Sequence, residues 1–162
     1  MRVRPIPEGY HSVTPYLMIN GVAEAIEFYR RAFGATQLFK LDAPEGKIAH
    51  AEIQLGDSRI MMADDCGEES PFRSPRSTGG SPVGLHLYVE DVDAVFAQAV
   101  GAGATVIKPV QDQFYGDRTG ALKDPFGHIW FLATHQEELS PDEIKQRAEM
   151  MFKQHHPDAA PS

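Results

Sequence analysis

Asp112 to His135 reads DQFYGDRTGALKDPFGHIWFLATH, and this stretch decides the fold. Its centre, Asp124-Pro125-Phe126-Gly127, is a tight turn. Proline at the second position presets φ, and glycine relieves the fourth. From His128 to Ala133 bulky residues alternate toward two faces, as a half-buried strand requires. Tyr115 to Lys123 reads as the strand before the turn.

Working upstream, Val83 to Val89 is a strand that places Gly84, His86 and Tyr88 on one face. Asp91 precedes a helix with Val92, Val95, Phe96 and Ala99 inward, and Gly101 and Gly103 end it. Ala104 to Val110 is the next strand, so this half reads βαβββ. The first half repeats the pattern. Ser12 to Ile19 is a strand and Asn20 a helix N-cap. Val22, Ala25, Ile26, Tyr29 and Phe33 form a helical stripe that Gly34 terminates. Thr36 to Leu41, Lys47 to Leu55 and Ser58 to Ala63 are strands. Leu17–Val22 superposes on Leu87–Val92 at an offset of 70 positions, which marks an internal duplication.

The expected organisation is an arm (1–11), a first module (12–64), a linker (65–82), a second module (83–135), a C-terminal helix (136–154) and a disordered tail (155–162). The linker is polar and rich in Gly, Ser and Pro, and longer than ordinary connections, which predicts a flexible join or a functional lid. Ser140 with Glu143 forms a capping box for the last helix, with Pro141 at its first position.

The net charge of -8 argues against sequence-independent nucleic-acid binding. No apolar run approaches the roughly 20 residues that span a bilayer. The lone cysteine, Cys66, excludes an intrachain disulfide and fits a reducing, cytoplasmic setting.

Two βαβββ units, the VEDVDA helix start at 89–94 and the DPFG turn before the last strand resemble the vicinal oxygen chelate superfamily of glyoxalases, bleomycin-resistance proteins and extradiol dioxygenases. FYGDR at 114–118 with DPFGHIW at 124–130 looks most like its PhnB-like branch. The resemblance implies an α+β fold. Each module's mixed sheet curls into a half-cup with helices on the convex side, a C-terminal helix follows, and a homodimer is expected by analogy. It also implies metal-ligand positions at Thr14, Met61, Gly84 and Phe131. None of these four serves as an ordinary ligand to a divalent cation, so no cofactor is expected unless a displaced metal site exists.

Alternation puts His50, Glu52, Gln54, His86 and Tyr88 on the cavity side. His50, Glu52 and His86 are candidate catalytic residues, as acid/base groups or displaced metal ligands; the alternative is a plain polar face. Tyr16, Met61, Tyr88, Phe114, Tyr115 and Phe131 are candidate ligand contacts, with core packing the alternative for Phe114. Arg118 is expected either to clamp a carboxylate or phosphate or to form a structural ion pair. His128 and Trp130 read as core, and His135 as a surface residue. The resulting expectation is a protein that binds a small, partly planar organic molecule in the cup without the usual metal. The alternative is a glyoxalase-like lyase or isomerase.

Overall fold

The computed structural model describes residues 2–155. Its elements run β1 (Tyr16–Ile19), α1 (Val22–Phe33), β2 (Thr36–Asp42), β3 (Ile48–Leu55), β4 (Ser58–Asp64), α2 (Pro75–Thr78), β5 (Gly84–Tyr88), α3 (Val92–Ala102), β6 (Thr105–Asp112), β7 (Asp117–Lys123), β8 (Ile129–His135) and α4 (Pro141–His155). They form two four-stranded mixed sheets, ordered β1-β4-β3-β2 and β5-β8-β7-β6. In each, the first strand runs parallel to the last and the remaining pairs are antiparallel. The architecture is α+β, two βαβββ half-cups with a C-terminal helix.

The duplication extends to individual bonds. Tyr16 pairs with Met61 in the first sheet, and 70 positions on, His86 pairs with Phe131. The Val22 N–H donates to Asp64 Oδ1 (3.1 Å), and the equivalent Val92 N–H donates to Thr134 Oγ1 (2.9 Å). In both modules the last strand thus caps the helix that follows the first. Asn20 is therefore not the α1 cap. Gly21 is, at φ 99°, and its own N–H also goes to Asp64 Oδ1. A short strand side chain from a neighbouring β-strand does what a local Asn was expected to do.

Alternation accounts for the core. Ile48, Ala51, Ile53 and Leu55 of β3 and Ile60 and Met62 of β4 are buried beneath α1. Ala49 breaks the alternation and is exposed, because the β2–β3 register slips between Leu41 and Asp42. Val83 is likewise exposed and lies outside β5, not under a helix. Helices α1 and α3 pack on one another, so the two modules share one apolar cluster. Its centre is aromatic: Trp130 lies 5.4 Å from Tyr29 and 4.7 Å from Phe33 between ring centroids. Full burial of each such side chain contributes about 1.5–3 kcal/mol.

The DPFG turn supplies the polar half of this seam. Asp124 is buried and accepts from Phe126 N–H (2.9 Å) and His128 N–H (3.0 Å) on one oxygen. On the other it accepts from Tyr29 O–H (2.6 Å), across the module boundary, and from Trp130 Nε1–H (2.9 Å). Burial, and then the adjacent Asp124 charge, pushes the Tyr29 phenol well above its ordinary range. His128 is core, its Nε2 3.1 Å from the Met18 carbonyl of β1. Gly127 sits at φ 94°, where a Cβ would lie 2.9 Å from Pro75 Cβ, so glycine is needed twice over.

The 65–82 segment is organised where it was expected to be a loose join. Asp65 accepts from Ser74 N–H, Gly67 N–H and Ser77 O–H, contacts that hold its carboxyl well below the usual range. Ser74 caps α2 and its hydroxyl donates to Asn20, while Arg76 donates to the Pro125 carbonyl. The segment straps the two modules together. Helix α4 has no buried residue. It is anchored by Arg147, which bonds the Phe114 carbonyl and pairs with Glu137. Of the tail expected to be disordered (155–162), His155 is instead the last residue of α4, and residues 156–162 lie outside the described residues.

Candidate functional site

Each sheet turns one face to its helix and leaves the other uncovered. On the first sheet the uncovered face carries Tyr16, Phe39, Leu41, His50, Glu52 and Met61. The pairings Tyr16↔Met61, Glu52↔Met61, Phe39↔Glu52 and Leu41↔His50 put them side by side. On the second sheet it carries Gly84, His86, Tyr88, Asp117, Phe131 and His135. Tyr16 is 49% exposed, Tyr88 59% and Phe131 41%, so large rings lie open on these faces. Two cavities lie along the seam between the modules. One, of about 160 Å³, is lined by Tyr10, Thr14, Arg59 and His86 among others; another, of about 550 Å³, lies under the 71–83 strap.

The first face holds a connected polar chain. Tyr16 Oη lies 2.8 Å from His50 Nδ1. His50 Nε2 is 3.8 Å from Glu52 Oε2, a charge contact and not a hydrogen bond. Glu52 Oε1 accepts from the Tyr10 hydroxyl of the N-terminal arm, and the Arg59 guanidinium stands over the Tyr10 ring, 4.7 Å from its centroid. Sequence alternation places His50 and Glu52 here; it gives no signal for Tyr10, whose arm has no periodic pattern.

The second face is built on Asp117, a buried carboxylate. It accepts from Tyr88 O–H at 2.8 Å and meets His135 Nδ1 at 2.7 Å, while His135 Nε2 meets Glu138 at 3.1 Å. Burial works to raise the Asp117 carboxyl, but the bonds from His135 and Tyr88 together hold it below the usual range. The bond to Asp117, joined by Glu138, raises the His135 imidazole. Hydrogen bonding to Asp117 and partial burial raise the Tyr88 phenol. His86 lies between Tyr88 (4.9 Å) and Phe131 (6.2 Å, near-parallel).

Arg118 is not on this face. It pairs with Thr134, on the helix side, and forks onto Asp93 of α3 at 2.8 and 2.9 Å with Asp112 at 3.1 Å. Asp93 first, then Asp112, raises its pKa. Of the two readings open for Arg118, the structure shows the structural ion pair, and the guanidinium is spent on it. Asp117, one residue earlier, takes the cavity position, and His135, exposed as expected of a surface residue, is its partner. Counting by twos from Phe131 through Ala133 reaches His135, so that signal was present in the sequence. Phe114 and Tyr115 sit in the β6–β7 turn, edge to face at 5.2 Å, outside both strands.

The expected ligand positions do not fit a metal. The Phe131 ring covers Gly84 so closely that a Cβ there would fall 2.4 Å from its Cε2. Phe131 thus fills the volume a ligand from position 84 would need, and Met61 and Thr14 offer no hard anionic donor. His50 and Glu52 lie on one sheet and His86 on the other. Among the described residues no group of three or more His, Cys, Asp and Glu is placed to hold a metal ion, and no helix is long and apolar enough to cross a membrane.

Paired βαβββ half-cups with open, aromatic-lined faces define a class, and sequence comparison names it. The model of the Glyoxalase/Bleomycin resistance protein/Dioxygenase superfamily matches residues 10–132, and the chain belongs to that family. An uncharacterized protein of Mycobacterium bovis is 43% identical over 138 residues, covering 83% of this chain and 90% of the relative. Among solved structures, TioX from Micromonospora sp. ML1 aligns at TM-score 0.60 with 25% identity, covering 80% of this chain and 100% of TioX. A PhnB protein from Bacillus cereus aligns at TM-score 0.61 with 21% identity, covering 76% and 99%, a likeness of fold alone.

Proposed function

We propose that this protein, a PhnB-like member of its superfamily, binds a small, partly planar organic molecule between its two uncovered sheet faces, without a metal at the usual position. The observation that carries this is the pairing of open rings with pre-bonded polar groups. Tyr16, Phe39, Tyr88 and Phe131 stand exposed on the same faces as the Glu52 and Asp117 carboxylates, which are already held by tyrosine and histidine. Soluble surfaces seldom leave such aromatic patches unpartnered, and pockets for organic ligands combine apolar walls with a few fixed polar groups. Because each face is only half a cup, the binding form is a homodimer in which the first face of one copy meets the second face of another. The outer strands β2 and β6, exposed almost throughout, are edges that such pairing protects.

The test is chemical-shift mapping with 4-nitrophenol, a planar phenol, on the dimer. Shifts are expected to concentrate on Tyr16, His50, His86 and Phe131, and Phe131→Ala to weaken binding. Shifts confined to the seam under the 71–83 strap would refute the site. A second reading, proton-transfer chemistry of the lyase or isomerase kind, is favoured by one observation, the contact of Tyr16 with His50 and Glu52.

A further inference from the structure

The chain Tyr16–His50–Glu52–Tyr10 has a direction. Glu52 Oε1 is occupied by the Tyr10 hydroxyl, and Oε2 faces His50 Nε2. A carboxylate opposite Nε2 favours a hydrogen on that nitrogen, and Nδ1 is then a lone-pair acceptor. Tyr16, 2.8 Å from Nδ1, must therefore be the donor of that bond. Its single hydrogen is committed inward, and its oxygen presents only lone pairs to the open face, where Tyr16 is half exposed. Phe39, 6.2 Å from the His50 ring, shields the imidazole from the side.

We infer that these four residues form a proton-accepting relay opening at Tyr16 Oη, and that the ligand it takes carries an acidic O–H, a phenol or an enol. This rests on the binding site proposed above and adds its chemistry. The ligand's O–H bond breaks as its proton joins Tyr16 Oη. The hydrogen Tyr16 already carried passes to His50 Nδ1. The products are a bound phenolate or enolate and a His50 imidazolium facing Glu52; no electrons change hands. His50 is the base, Tyr16 the contact, and Glu52 a positioning residue that stabilises the imidazolium. Tyr10 is a second positioning residue: stacked under Arg59, it fixes the carboxylate so that Oε2 stays opposite the ring.

Two measurements on the full chain test this. Nitrogen-15 NMR of histidine-labelled protein is expected to show His50 protonated on Nε2 alone in the free state, and mixed tautomers in Tyr10→Phe. A dominant Nδ1–H tautomer in the native chain would overturn the relay. The visible absorbance of 4-nitrophenolate reads the transfer. The ratio of ionised to neutral probe is expected to be at least about tenfold higher when bound than when free at the same pH, the scale of one charge-assisted hydrogen bond. Tyr16→Phe and His50→Gln should weaken binding and, in the probe that shift mapping at saturation still reports against Phe131 and His86, abolish that excess. Binding with no excess ionisation, or an excess that survives His50→Gln, would overturn the relay alone. No saturable binding would overturn the binding site and the relay with it.

Discussion

Asp124→Ala is the sharpest test of how the two modules are joined. The buried carboxylate receives four hydrogens, two from backbone amides of its own turn and two from the buried Tyr29 and Trp130 side chains. Removing it strands Tyr29 O–H and Trp130 N–H in an apolar seam. Each stranded buried donor costs about 1–3 kcal/mol, so the loss is about 4 kcal/mol before the turn amides are counted. For a chain of this length that lowers Tm by about 8–16 °C. Asparagine separates charge from geometry. With its oxygen toward the turn amides, its NH₂ group faces Trp130 N–H, which cannot accept. Tyr29 can turn to accept, but the indole cannot. Asp124→Asn is therefore expected to remain destabilised, and to cost markedly less in a Trp130→Phe background. Urea unfolding of the four chains gives the coupling directly. A loss below about 1 kcal/mol for Asp124→Ala, or an equal cost for Asp124→Asn in both backgrounds, would refute this account of the seam.

Two glycines should respond unequally to the same added methyl group. At Gly120 a Cβ would lie 2.7 Å from Phe96 and 2.9 Å from Val110 on the helix side, so Gly120→Ala should cost about 1–3 kcal/mol in urea melts. At Gly84 it meets only the half-exposed Phe131 ring, which can swing away, so Gly84→Ala should cost under about 1 kcal/mol while displacing the ring on the binding face. Reversed costs would mean the face assignment is wrong. His135, raised by Asp117, contributes stability that is complete below its unfolded pKa of about 6.5 and is lost as pH rises through its raised folded value. The Tm gap between the native chain and His135→Gln should accordingly shrink from pH 6 to pH 9; a constant gap would show that the imidazolium is not what matters.

What the sequence made legible was local and periodic. Both helical stripes, the DPFG turn and the offset that superposes Leu17–Val22 on Leu87–Val92 follow from repeating patterns, and the paired strand registers reproduce that offset. The assignment of His86 and Tyr88 to one face is alternation in its simplest form; Phe131 joins them as the resemblance implies, through the β5–β8 pairing. What failed needed tertiary knowledge. Asn20 looked like a cap because no window of sequence shows that Asp64 arrives there from β4. Arg118 stays open between an anion clamp and an ion pair in the sequence, because its face depends on the β7–β8 register; its pairing with Thr134 turns it toward Asp93. The 65–82 segment read as loose because its composition is polar, yet Asp65 and Ser74 give its backbone hydrogen bonds that no apolar pattern would announce.

The most direct test of the central claim is a crystal structure grown from metal-supplemented solution with 4-nitrophenol. The account predicts a dimer with the ring lying between Tyr16 and His50 of one copy and His86 and Phe131 of the other, and no metal among Thr14, Met61, Gly84 and Phe131. A divalent ion bound at those four positions, or both faces open to solvent with the probe elsewhere, would contradict it.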